Sequence, residues 1–276
     1  MSWHARLSLD YRLQSDRTVL RHSHSGPLRV LQSLYPEGDA ICHNILVHPP
    51  GGLVGGDTLD ITAQVGNGAH ALVTSPGAAR YYRSNGLHAQ QCVQLQVDAG
   101  ARLEWLPLEA ICYSGCLAEN SLRLQLAPGA EMMGWDVTAL GLPQSGQEFS
   151  QGEYTQRLEM PGVWLEQGRI RAQDGLLLDG PLGLAGQRCL ATLFFATGEP
   201  MARTRREAAL GAAQELAATS ALAASAGVTC LQDRLLLLRV LAPLVEPAMQ
   251  LLRQIHLAWR LHLWNLSAPH PRIWST

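Results

Sequence analysis

Three times, at intervals of about 30 residues, a Gly-Ala pair closes a turn and opens a new alternating run: Gly68-Ala69, Gly100-Ala101 and Gly129-Ala130. A period of that length belongs to architectures in which one unit stacks on the next. Each unit of such a stack buries its apolar face only against its neighbours. Within the runs the side-chain period is two, as a half-buried strand requires. Ala5, Leu7, Leu9, Tyr11 and Leu13 show it, as do Val93, Leu95 and Val97, and again Leu122, Leu124 and Leu126. Gly66-Asn67-Gly68, Asp98-Ala99-Gly100 and Ala127-Pro128-Gly129 punctuate them. The reading is a mainly β chain with a β-helix-like, stacked-sheet body over residues 1–200; an ordinary sandwich with similar turns is the alternative.

Near Met201 the composition changes. Arg203 to Gly227 is rich in alanine, leucine and glutamate and lacks proline, which predicts helix, with Thr204 and Glu207 as a capping box. Leu231 to Leu241 is a second apolar segment, ending before Pro243. Glu246 to Trp264 carries Met249, Leu252, Ile255, Trp259 and Leu263 at helical spacing. Two or three C-terminal α-helices are therefore expected in a segment 201–265 packed on the body, followed by a non-helical tail, 266–276.

Several chemistries are excluded. All 21 cations are arginine, so there is no Schiff-base lysine and no phosphate-loop lysine. A net charge of −2 gives no reason to expect nucleic acid or an anionic membrane as partner. The longest apolar run, Leu235 to Val245, is broken by Arg239 and Pro243 and falls short of the roughly 20 residues of a membrane span. The start lacks the layout of a secretory signal, and the six cysteines (42, 92, 112, 116, 189, 230) form no paired CxxC. Reduced thiols in a cytoplasmic protein are expected. Neither GxSxG nor HExxH occurs, and no nucleophile has an obvious base.

The strongest local feature is Pro49-Pro50-Gly51-Gly52-Leu53-Val54-Gly55-Gly56-Asp57-Thr58-Leu59-Asp60. It lacks the pattern of a phosphate loop, and strand follows it. It reads as a tight turn, or as a loop whose Asp57 and Asp60 face a polar channel or a partner. The strand period puts the two aspartates on opposite faces, so they are not a chelating pair; Asp57 is expected inside and Asp60 at a turn or the surface. Cys42, His43 and His48 lie close in sequence, Cys112 and Cys116 form a CxxxC, and His22 and His24 an HxH. None has the spacing of a strong metal site. A second block, Thr74 to Gly86, holds Arg80 and Arg83, which suit a carboxylate-rich partner. Glu104, Glu109 and Asp136 stand in apolar strands, where an unpaired carboxylate is costly. A polar interior passage accounts for them together; individual salt bridges do so as well.

The blocks, taken in order, resemble the UreD (also UreH) family of urease accessory proteins. The resemblance is carried by His48 to Asp57 (HPPGGLVGGD), Thr74 to Gly86 (TSPGAARYYRSNG) and Leu103 to Glu109 (LEWLPLE). It continues through Pro128 to Ala130, Gly134 to Asp136, Gly152-Glu153 and Pro271 to Thr276. It implies a β-rich stacked fold, no catalytic activity and no tightly bound cofactor. It also implies partners (UreF, through it the GTPase UreG, and apo-urease) and nickel(II) held transiently along an internal water-filled passage. On that basis the passage residues are Asp57, Asp60, Glu109, Asp136 and Glu166. The motif and partner-binding residues are His48, Gly51, Gly52, Gly55, Gly56, Arg80, Tyr82, Arg83, Ser84 and Trp259. The leucines and tryptophans of the C-terminal third read as a surface for UreF. Two departures matter: Arg80 stands where the family often has lysine, and Glu166 is followed by Gln167-Gly168 where it often has arginine. A stand-alone nickel-binding metallochaperone would need a tight ligand cluster, and a polysaccharide-acting β-helix enzyme clustered acids on an exposed groove.

Overall fold

The Gly-Ala pairs are corners. Gly68, Gly100 and Gly129 take φ of +69°, +68° and +75°, and the alanines behind them are at most 1% exposed. Only glycine turns there without strain, and only a small side chain fits behind it. Successive corners are tied by backbone bonds, Arg102 N to Ala69 O at 2.8 Å and Glu131 N to Ala101 O at 3.0 Å. The structure, a computed structural model, describes residues 2–267 and 270–275; Pro269 of the tail and Thr276 of its last motif lie outside the described residues.

Strands β1 (His4–Gln14) and β2 (Arg17–Ser25) form a hairpin, followed by the short β3 (Arg29–Val30) and by β4 (Ile41–Val47). Three coils come next. The first is β5 (Thr58–Val65), β6 (His70–Thr74) and β7 (Ala79–Tyr81); the second is β8 (Ala89–Val97), β9 (Arg102–Leu106) and β10 (Ala110–Cys112). The third is β11 (Cys116–Leu126) and the long β12 (Glu131–Leu142), which pairs with β9 through its first half and β10 through its second. Then follow β13 (Gln147–Glu148), β14 (Gly152–Met160), β15 (Trp164–Arg171), the short helix α1 (Gly175–Asp179) and β16 (Cys189–Thr197). The chain closes with α2 (Arg203–Thr219), β17 (Ala226–Leu231), β18 (Leu235–Ala242) and α3 (Val245–Trp264).

Like strands stack in parallel. One sheet has seven strands, ordered β15-β14-β11-β8-β5-β1-β2; the other has eleven, with β16, β18 and β17 added antiparallel beyond β12. This is the stacked-coil body expected from the repeat. Between the sheets lies one core, where Leu7, Ile61, Val93, Leu122 and Leu158 line up across the first sheet. A second core lies on the outer face of the larger sheet, where Leu72, Trp135, Phe195, Leu236 and Leu238 meet α2 and α3.

Covering on both faces explains one difference from the sequence reading. Leu231 to Leu241 is not helix: it spans the end of β17 and most of β18, which pair as a hairpin. A strand buried on both sides loses its alternation and cannot be told from a buried helix by periodicity. The helix expected to Gly227 ends at Thr219, its N-cap is Ala202 without a side-chain bond, and Glu207 pairs with Arg203 rather than closing a capping box. Trp259 is fully buried and donates to the Ala209 carbonyl at 3.0 Å, so it holds α3 to α2 and presents nothing to a partner.

Candidate functional site

The two glycine-bearing blocks form one structure. Leu53 N donates to Arg80 O at 2.7 Å and Tyr82 N to Leu53 O at 2.8 Å, so the first loop lies flat on the second. A side chain at Gly52 would run into the Tyr82 ring, and one at Gly55 into Ser84 and the Leu87 carbonyl. Glycine is therefore required by close approach, not by flexibility. Gly56 N extends the seam to His88 O at 2.9 Å. Ser84 caps its own turn, accepting from Gly86 N and donating to Leu87 O.

Beside this seam a cavity of about 270 Å³ leads into the coil. Its lining brings His48, Gly51, Ser75, Arg80 and Leu108 together with Gln91, Asn120 and Asp136. Asp136 lies deep in the protein yet keeps part of its surface open to this cavity. Asn120 donates to its Oδ2 at 2.7 Å, Gln156 to its Oδ1 at 2.5 Å and Thr138 to its Oδ1 at 3.4 Å. Burial pushes its carboxyl up to about 6; the bonds from Asn120, Thr138 and Gln156 pull the other way, and the charge of Glu166 adds to the rise.

The amides are a consequence of register. Gln91, Asn120 and Gln156 are directly paired on β8, β11 and β14, and Gln91 donates to Asn120 at 3.2 Å. The row continues to Gly168 on β15, where a Cβ would meet nothing within 4 Å. Glu166, two residues away, binds Arg239 of β18 at 2.6 and 3.1 Å. A polar row thus runs across the coil interior from the cavity towards the ion pair of Glu166. Sequence reading missed these amides. Their signal is present: each is the one polar residue at an inward position of an apolar strand, as in Ala118, Asn120, Leu122 and Leu124.

His48 has a buried Nε2 with no hydrogen-bond partner among the described residues, and its ring meets the edge of Trp3 at 6.0 Å. Burial pulls its pKa below the ordinary histidine value against the opposing charge of Asp57, which keeps the imidazole neutral. Arg80 and Arg83 are exposed and neither pairs with a carboxylate among the described residues. Tyr82 packs on Tyr113 at 5.1 Å beside them.

The other acids go elsewhere. Asp57 is fully buried but ties off its own turn: Oδ2 accepts from Val54 N at 2.9 Å and Oδ1 from Trp3 N at 3.2 Å. It is a cap, and it does not line the cavity. Asp60 stands on the outer face of the first sheet, bonded to His4. Glu109 lies outside the coil, on a second cavity of about 150 Å³ that it shares with Cys189 and Glu246. Burial pushes the Cys189 thiol up to about 12.

Glu104 faces α3, because odd positions of β9 point into the coil and even ones out. It accepts from His256 at 2.7 Å and His70 at 3.1 Å, with Arg260 Nε at 3.3 Å. Burial alone would raise its carboxyl; these partners hold it well below the usual carboxylate range. Arg260 continues to Glu37 at 2.7 Å, and Glu37 to His43 at 2.9 Å. Cys42, Cys112 and Cys116 are buried in the coil, and His22 and His24 stack on β2. Among the described residues no three histidine, cysteine or acidic side chains converge as a metal cluster.

Compared with known proteins, the chain matches the family model described as UreD urease accessory protein over residues 4–275. It is 63% identical over 275 residues to the urease accessory protein UreD of Paracidovorax citrulli and 62% identical over 275 residues to that of Albidiferax ferrireducens. It is 49% identical over 296 residues to that of Methylibium petroleiphilum, and all three matches run the full length of both chains.

Proposed function

Because the chain belongs to the UreD family of urease accessory proteins, we propose that it serves urease maturation as a non-catalytic scaffold whose interior passes nickel(II) on to apo-urease. UreF, and through it the GTPase UreG, stand on the supply side of this reading, and the work is done in the cytoplasm. Nickel is cargo, held in transit and released, and no resident cofactor is required.

The cavity floored by Asp136 carries the proposal. A carboxylate that already accepts three hydrogen bonds has few lone pairs left for a cation, so it attracts a hydrated divalent ion without trapping it. His48, on the same cavity, carries a neutral imidazole, a ligand type that nickel accepts. The rim suits a protein partner. Arg80 and Arg83 present unpaired guanidinium groups beside Tyr82 and Tyr113, with Val54 43% and Leu87 62% exposed. Arginine, tyrosine and a few apolar side chains are what interface centres are made of.

Asp136→Asn tests this. In cells co-expressing urease and its accessory proteins, the nickel content of urease should fall by about tenfold or more, while co-purification with UreF stays unchanged. In a purified activation assay, transfer through the wild-type chain should weaken as pH falls through about 6, where Asp136 takes up its proton. Normal loading of urease by the Asn variant would overturn the proposal.

A further inference from the structure

The end of the chain is fastened to the two loops that frame the cavity. Trp274 is 8% exposed and donates from Nε1 to Thr74 Oγ1 at 2.8 Å. Thr74 in turn donates to the Leu106 carbonyl at 2.6 Å, which joins the last residue of β6 to the last residue of β9. Both strands run straight into cavity wall: Ser75 follows Thr74, and Pro107 and Leu108 follow Leu106. Ser75 Oγ accepts from Leu108 N at 2.8 Å and donates to Gly77 O at 3.1 Å, so a second hydroxyl laces the same loops. Trp135 completes the arrangement. Its ring packs on Trp274 at 5.1 Å and its Nε1 donates to the Pro107 carbonyl at 2.5 Å.

The segment that carries Trp274 is itself anchored to α3. His270 donates from Nε2 to the Arg253 carbonyl at 3.1 Å and stacks on His256 at 6.0 Å. The Arg253 guanidinium lies over the Trp274 ring at 5.2 Å. α3 is in turn bound to the body through Glu104. The loops are open on their outer side, where Pro76 and Gly77 are exposed.

We infer that His270–Ser275 is a strap and Trp274 a positioning residue, which sets the wall of the cavity by holding, through Thr74 and Trp135, the loops that leave the paired ends of β6 and β9. The strap acts on the cavity whatever enters it; only the delivery arm of the test rests on the nickel reading. A tryptophan suits the task because one side chain supplies both a broad packing face and a directed donor. Loss of the donor leaves Thr74 with one partner fewer and frees the loops to open locally without opening the sheets.

Hydrogen exchange on the purified full-length chain reads this directly. Trp274→Phe keeps an aromatic ring and removes the donor; Thr74→Val removes both bonds of the hydroxyl. Each should speed exchange in peptides covering 75–80 and 106–110 by about tenfold and leave 116–126, in the middle of the first sheet, unchanged. Thr74→Ser retains the hydroxyl and should match the wild type. Unchanged loops in the Phe and Val variants would overturn the inference, as would an equal rise in 116–126, which would mark general destabilisation. The same variants, co-expressed with urease, should lower its nickel content. Loosened loops with normal nickel content would uphold the strap and sink the passage.

Discussion

Asp57 and Asp136 are both removed from bulk water, but their partners differ. Asp57 accepts two backbone amides and completes a turn; Asp136 accepts side-chain amides and faces a cavity. Asp57→Ala would orphan the amides of Val54 and Trp3 and should lower unfolding free energy by about 2–3 kcal/mol, read as a lower urea midpoint. Asp57→Asn keeps one acceptor and should cost about half as much. Wild-type midpoints in both would show that the cap is dispensable. Asp136 has the opposite sign. Its folded pKa is raised, so its contribution to stability is full below the unfolded value of about 4 and is lost as pH rises through about 6. Asp136→Asn removes that penalty, and its stability relative to the wild type should improve between pH 4 and pH 7 by on the order of 3 kcal/mol. Sequence reading chose Asp57 for the interior because of the glycines before it. Those glycines do announce a turn, but the Trp3 amide that claims the second oxygen comes from the residue just before β1, far away in the sequence, and no local pattern points to it.

At the scale of elements, the period of two decides which way an acid faces. The strand at Glu104 was legible and so was the cost of burying a carboxylate there; the direction was not, because β9 is covered on both sides. The same two-sided burial hid β18, whose partner β17 is a half-exposed edge strand. What Glu104 does is join β9 and β6 to α3, through His256, His70 and Arg260. Its pKa is lowered in the fold, so the stability it confers is present above the unfolded value of about 4.3 and drains away as pH falls below that towards the depressed folded value. The wild-type chain should lose stability steeply under acid, and Glu104→Gln should flatten that limb. At neutral pH the same variant leaves Arg260 and the two histidines short of an acceptor, and should cost about 3–5 kcal/mol. A Gln variant with the wild-type acid limb would remove Glu104 from the account.

For the whole molecule, the spacing of three Gly-Ala corners pointed to stacked coils with a sandwich still open, because the corner is a local event that repeats but does not say which strands pair. The helical third is a different matter. Its leucines and tryptophans suggested a surface for UreF, since two or three helices on one sheet leave apolar area to spare. With two helices covering a sheet that β17 and β18 extend, that surplus is consumed. Leu252, Ile255 and Trp259 of α3 are fully buried, and of its large apolar residues only Leu261, at 50%, is exposed. The sheet beneath depends on this cover, for Phe195, Leu236 and Leu238 of β16 and β18 are at 0% and Trp135 of β12 at 1%. Truncation after Leu244 would strip α3 from this face and remove His256 and Arg260, two of the three partners of Glu104. The shortened chain should therefore be insoluble, or soluble only with loose tertiary packing that binds a hydrophobic dye. It would fail to bind UreF for that reason alone. Leu261→Asp is the variant that separates the possibilities, because it changes the outer face of α3 and leaves the core intact. It should remain folded, with unchanged melting, and retain UreF. A folded Leu261→Asp chain that no longer captured UreF would place the partner on α3 after all. A soluble, cooperatively melting 1–244 fragment would show that the coils do not need the helix that covers them.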